Sequence, residues 1–276
     1  MRTKLFALAL LVFAIPAFAQ QPVSKFVSAD DTSVAMLVGY YGSGTSATME
    51  VAQGGAITFL VAAAAYTGFE CPVSGALGGI IDTTNGACDT VDEVVDIING
   101  SASDFRAVAV DALGTDSVDD FLTVGATQVT TTAGVTILFD TSANFAVGEG
   151  RALIPDACRT DISCFVTGAG KILENPFGGR QTVIGWIEGL NTYASGTSIL
   201  KAYSVKASNK RTNTTESVST LWSEAMGATT ANKQFTQFQN TNMLGGYGEK
   251  VIVRVTNSAA QSAVTLLVSA NQRPIP

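Results

Sequence analysis

The chain has 276 residues, with 16 Lys and Arg against 23 Asp and Glu, a formal charge of −7, and no histidine. The missing imidazole excludes Ser-His-Asp and Cys-His nucleophilic systems and the commonest metal-ligand and general-base arrangements. Net acidity without a long Lys/Arg run argues against nucleic acid as a partner, because phosphate neutralisation drives that binding.

The first residues, MRTKLFALALLVFAIPAFAQ, follow the order of a secretory signal. Arg2 and Lys4 are followed by the apolar run Leu5 to Ile15, Pro16, and the small-residue site Ala17-Phe18-Ala19, with cleavage expected before Gln20. The run is shorter than the roughly 20 residues of a membrane-spanning helix, so residues 1–19 are expected to be removed and the protein exported. No membrane span is expected thereafter.

An α+β module is expected over residues 20–140. Ser46 to Gln53 and Ala56 to Ala63 read as strands joined at Gly54-Gly55, a hairpin signal. A Gly-rich loop follows between Cys71 and Cys88. Val91, Val94, Val95 and Ile98 make one helical stripe, with Thr90 and Glu93 spaced as a capping box and Asn99-Gly100 at its end. Asp96 lies off that stripe and is expected in solvent. Asp104 to Leu113 reads as a strand covered on both faces, and Asp116-Ser117 as the start of a short helical turn.

Residues 141–179 read as an irregular connector carrying Cys158 and Cys164. Residues 180–276 read as an antiparallel β-sandwich of jelly-roll type. Its candidate strands are Thr182 to Leu190, Ser198 to Ala207, Glu216 to Ser223, Phe235 to Gln239, Glu249 to Thr256 and Ala263 to Ala270. Val251, Val253 and Val255 alternate there with Ile252, Arg254 and Thr256. The expected fold class is therefore mainly β, with an α+β N-terminal module.

In an exported chain the four cysteines favour disulfides. Three connectivities are open, and sequence proximity favours Cys71–Cys88 with Cys158–Cys164. Zinc is the alternative, but no C-x-x-C spacing is present. Asp82 to Glu93 has the two ends of a calcium-binding EF-hand loop, but Gly86 falls at position five rather than six. Asp111, Asp116, Asp119 and Asp120 form the better calcium candidate; otherwise Asp116 caps the turn and Asp119 and Asp120 sit in its first turn, where acids are favoured. No other cofactor is expected. "GALGG" (Gly75 to Gly79) and "GYYGSG" (Gly39 to Gly44) lack a phosphate loop's Lys-Ser/Thr ending. Nothing selects a carboxylate pair for glycoside hydrolysis, so no catalytic residue is expected and the protein is read as not an enzyme. Trp186 and Trp222 are core aromatics or, on an exposed face, contacts for a glycan. Asn99 and Asn213 head glycosylation sequons.

The block "TVDEVVDIINGSASDFRAVAVDALGTDSVDDFL" (Thr90 to Leu122) resembles one in structural proteins of tailed-phage virions. "NTYASGTSILKAYSV" and "GYGEKVIVRVTNSAAQSAVTLLV" are similar in style to β-rich virion and bacterial surface proteins. The resemblance covers about half the chain and implies a structural role, although a signal peptide departs from most virion proteins. The expected function is an exported, non-enzymatic structural protein that self-assembles through β-rich surfaces, as an extracellular filament, surface layer or virion component. Its partner would be itself, and the arm from Gln20 to about Ser33 is a candidate donor strand. The alternative is a secreted adhesive module binding a cell-surface glycan.

Overall fold

The computed structural model describes residues 21–27, 33–67, 69, 80–100, 103–131, 133–139, 149–173, 176, 180–191, 198–206, 217–226, 232–237, 243–244, 250–257 and 264–274. The expected signal segment lies outside these residues, and among them no helix is long and apolar enough to cross a membrane.

In chain order the strands are β1 (Gln21–Val27), β2 (Val34–Tyr40), β3 (Ala47–Val51), β4 (Ala56–Val61), β5 (Ala64–Ala65), β6 (Ile80–Asp82), β7 (Phe105–Ala109), β8 (Val124–Gln128) and β9 (Val135–Leu138). They continue with β10 (Glu149–Ala152), β11 (Arg180–Asn191), β12 (Ser198–Lys206), β13 (Ser217–Met226), β14 (Asn232–Gln237), β15 (Met243–Leu244), β16 (Lys250–Asn257) and β17 (Val264–Pro274). The one α-helix among the described residues, α1, spans Val91–Ile98. Every pairing among these strands is antiparallel, and the fold is mainly β.

Two sheets form the C-terminal body. One runs β1-β17-β11-β14, with β15 also on β11; the other runs β10-β16-β12-β13. Leaving out the short β15 and counting only these strands, the orders are first-eighth-third-sixth and second-seventh-fourth-fifth, the connectivity of a jelly roll. Residues 21–27 and 149–152, expected in the α+β module and the connector, are thus the first two strands of this body. The rest of the α+β region is inserted between them. Sequence patterning could not show this, because β1 finds its partner at the far end of the chain.

The insertion holds two further sheets, β7-β2-β9 and β5-β4-β3-β8 with β6 on β4. Burial arranges all four sheets in layers. Met36, Val38, Met49, Ile57, Phe59, Phe105 and Ile137 join the helix residues Val91, Val94 and Ile98 in one core. Leu37, Ile154, Ile162, Tyr203, Val205 and Ile252 make a second core, between the insertion and the jelly roll. Ile184, Ile187, Leu200, Ala202, Val251, Val253 and Val268 make the third, between the two jelly-roll sheets. The alternation along β16 therefore has two buried targets. Val251 and Val253 face the opposing sheet, while Ile252 faces the insertion.

The expected capping box is present. Thr90 N–H donates to Glu93 Oε2 (3.1 Å), and Glu93 N–H reaches Thr90 Oγ1 (3.5 Å). The two remaining amides of the helix's first turn are taken by a distant loop: Val91 N–H donates to Asp116 O (2.9 Å) and Asp92 N–H to Gly114 O (3.0 Å). These would otherwise be orphan donors.

Asp96 is not in open solvent as expected. The apolar packing around α1 extends past its main stripe to Ile97, and burial pushes the Asp96 carboxyl up to about pH 6. A folded-state pKa raised above the unfolded value gives a contribution that is complete below about pH 4 and lost as the pH rises through 6. Asp96→Asn is therefore expected to flatten the fall in stability between pH 4 and 7. It should stabilise the fold at pH 7 by about 1 kcal/mol, after discounting for the screened, exposed part of the side chain. Urea unfolding at several pH values measures this.

The β4–β5 hairpin turns on Ala62 and Ala63, both left-handed at φ 50° and 64°. Alanine is strained there, whereas such two-residue turns favour Asn-Gly. The double substitution Ala62→Asn with Ala63→Gly is expected to stabilise the fold by about 1 kcal/mol, read from the urea midpoint.

Candidate functional site

The acids singled out between β7 and β8 do not converge on a shared cation cage. Among the described residues no group of three or more His, Cys, Asp and Glu is arranged to hold a metal ion. Asp111 is fully buried and meets Arg159 in a two-pronged pair, Nη1 to Oδ1 at 2.7 Å and Nη2 to Oδ2 at 2.6 Å. Its carboxylate also accepts Val34 N–H (2.7 Å) and Ala152 N–H (2.7 Å). Asp116 is held in the same manner by Arg254, with both contacts at 2.6 Å, and accepts Leu113 N–H at 2.7 Å. Carboxylates so engaged are poor calcium ligands, since a cation would have to displace a guanidinium.

Asp116 therefore does not cap the following 3-10 turn, Val118–Asp120. Ser117 does so, accepting Asp119 N–H at 3.2 Å. Asp119 and Asp120 lie in that turn, Asp120 being buried.

The ion pairs tie together parts of the chain distant in sequence. Arg159 closes a 3-10 turn, Asp156–Arg159, next to Cys158. The expected Cys158–Cys164 disulfide is present and closes that short segment. Cys88 is buried and disulfide-bonded; the other member of the expected pair, Cys71, lies outside the described residues. Arg254 comes from the middle of β16 and also donates to Asp111 O (3.2 Å). Ser33 Oγ donates to Gly150 O (2.8 Å) and accepts Gly150 N–H (2.9 Å). Lys250 Nζ reaches Ala109 O at 3.0 Å. This polar seam flanks the apolar contact between insertion and jelly roll, and makes the two one framework.

Both arginines escaped the sequence reading. For Arg254 a signal was present: a lone cation in the apolar run of β16, facing the same way as Ile252, needs a buried partner. For Arg159 nothing local pointed to Asp111.

Trp186 stands in β11 and Trp222 in β13, on different sheets. Both are half-buried, and Trp222 packs against the core between the jelly-roll sheets. The Asn99 sequon is also occupied structurally: Asn99 Nδ2 donates to Ala107 O (2.9 Å) and Oδ1 accepts Ala107 N–H (2.8 Å), in the buried interior. Asn213 lies outside the described residues.

Among the described strands, β13 is one of those that end a jelly-roll sheet. It spans ten residues and pairs, among the described strands, only with β12. Val218 is 39% exposed, and Ser219, Thr220, Ser223 and Ala225 are exposed beside it. Glu224 is its sole charged residue, and it has no proline. Within β13 itself, a bulge at Leu221 and the charge of Glu224 are the protective devices of the kind that sheet edges usually carry.

No family model, curated protein or solved structure matches the chain.

Proposed function

We propose that this chain is an exported structural subunit, without catalytic activity, that self-assembles through the edges of its jelly roll. The observation that carries this reading is β13, a long edge strand with exposed uncharged side chains and almost none of the charge that keeps solitary proteins from pairing edge to edge. The ionic seam supports it by making a stiff building block. The architecture itself hosts shells and sugar-binding proteins alike, so it does not select between them. Trp186 and Trp222 are half-buried and stand on different sheets, so these two do not form the exposed stacking platform that the glycan reading needs.

Negative-stain microscopy and light scattering of the chain beginning at Gln20 test the proposal. Regular polymers are expected, and Val218→Lys with Thr220→Lys on the β13 edge should shorten or abolish them. Uniform monomers at every concentration would sink the reading.

A further inference from the structure

We infer that β1 is an exchangeable strand, which in the assembled state fills the same slot on a neighbouring copy. This rests on the self-assembly reading and names a second contact, beside the β13 edge, that would make it directional. β1 lies at the end of its sheet, hydrogen-bonded along its length to β17 and to no other described strand. Seven register pairs hold it there, from Gln21 opposite Gln272 to Val27 opposite Leu266. With cleavage before Gln20, it would be the first segment of the mature chain, so it could leave the slot without unthreading anything.

The segment fits the slot by construction, since every pair made within one chain can be remade between two copies. That is the condition under which strand exchange costs little. On the other side the chain is pinned. Ser33 is buried and doubly hydrogen-bonded to Gly150, and Val34 N–H is held by Asp111. Only residues 28–32 intervene, so the donated strand reaches roughly 20 Å from its own body. A reach that short places the acceptor in direct contact. Each copy then donates one strand and accepts another, a head-to-tail relation that propagates as a chain or ring. Loss of β1 would uncover β17, which is the acceptor.

Ser24 and Ser269 are register partners in the β1–β17 pair. Chains carrying Ser24→Cys alone and Ser269→Cys alone are to be mixed, allowed to assemble and oxidised mildly. A disulfide-linked dimer that requires both variants is expected on non-reducing gels. The doubly substituted chain should give a ladder. As a second measurement on the unsubstituted chain, excess peptide QPVSKFV should shorten polymers by occupying acceptor slots. Polymers that form with no cross-link between the mixed variants, and that ignore the peptide, would overturn the exchange and leave the self-assembly reading standing. Absence of both polymers and cross-links would remove both.

Discussion

Replacing Asp111 by alanine is expected to destabilise the protein by about 3–5 kcal/mol, the cost of stranding a buried charge. The carboxylate receives four hydrogen bonds, two from Arg159 and one each from the amides of Val34 and Ala152. Alanine would leave the Arg159 guanidinium, itself buried, without its counter-ion, and two amides without an acceptor. The amides lie on β2 and β10, so the damage falls where the insertion meets the jelly roll. The double variant Asp111→Ala/Arg159→Ala should cost clearly less than the sum of the single variants, because removing both charges removes the stranded one. Equilibrium urea unfolding of the four proteins in this cycle measures the coupling. Additive effects would show that the pair contributes little beyond its separate contacts.

Replacing Arg254 by alanine is expected to cost about 3 kcal/mol, and to be felt in a helix that Arg254 does not touch. Its guanidinium holds Asp116. The loop bearing Asp116 supplies the carbonyls that accept the Val91 and Asp92 amides at the start of α1. Loosening that loop should expose the first turn of the helix. Faster hydrogen exchange at Val91 and Asp92, with α1's later amides less affected, is the specific signature. An unfolding free energy lowered evenly, with no local change in exchange, would mean that Arg254 acts only as a packing element of β16.

Much of the local structure was legible in the sequence. The capping box at Thr90 and Glu93 is a short-range device whose parts sit three residues apart, and it is present as read. The six candidate strands of the C-terminal region correspond to β11, β12, β13, β14, β16 and β17, because alternation and turn residues are likewise local. β2 escaped because all seven of its residues are buried, and a strand covered on both faces carries no alternation. Asp96 was misplaced because a helical stripe marks the most buried face, not how far the packing wraps around it. The four acids looked like one cluster because sequence proximity hides the two arginines, one from the turn after β10 and one from β16, that take Asp111 and Asp116 separately.

The jelly roll's connectivity has a bearing on how the chain reaches its native state. Its first strand lies beside its last, with Gln21 opposite Gln272, so that sheet cannot be completed until the chain has been made through β17. Pairings of such sequence separation form late, since a long loop must close before any contact compensates for it. The inserted module has its own sheets and core and can organise earlier. If β1 exchanges between copies as proposed, closure of β1 on its own β17 would then compete with encounter between molecules. The local concentration of subunits at the moment of completion, rather than any difference in contacts, would decide between a closed monomer and a growing polymer.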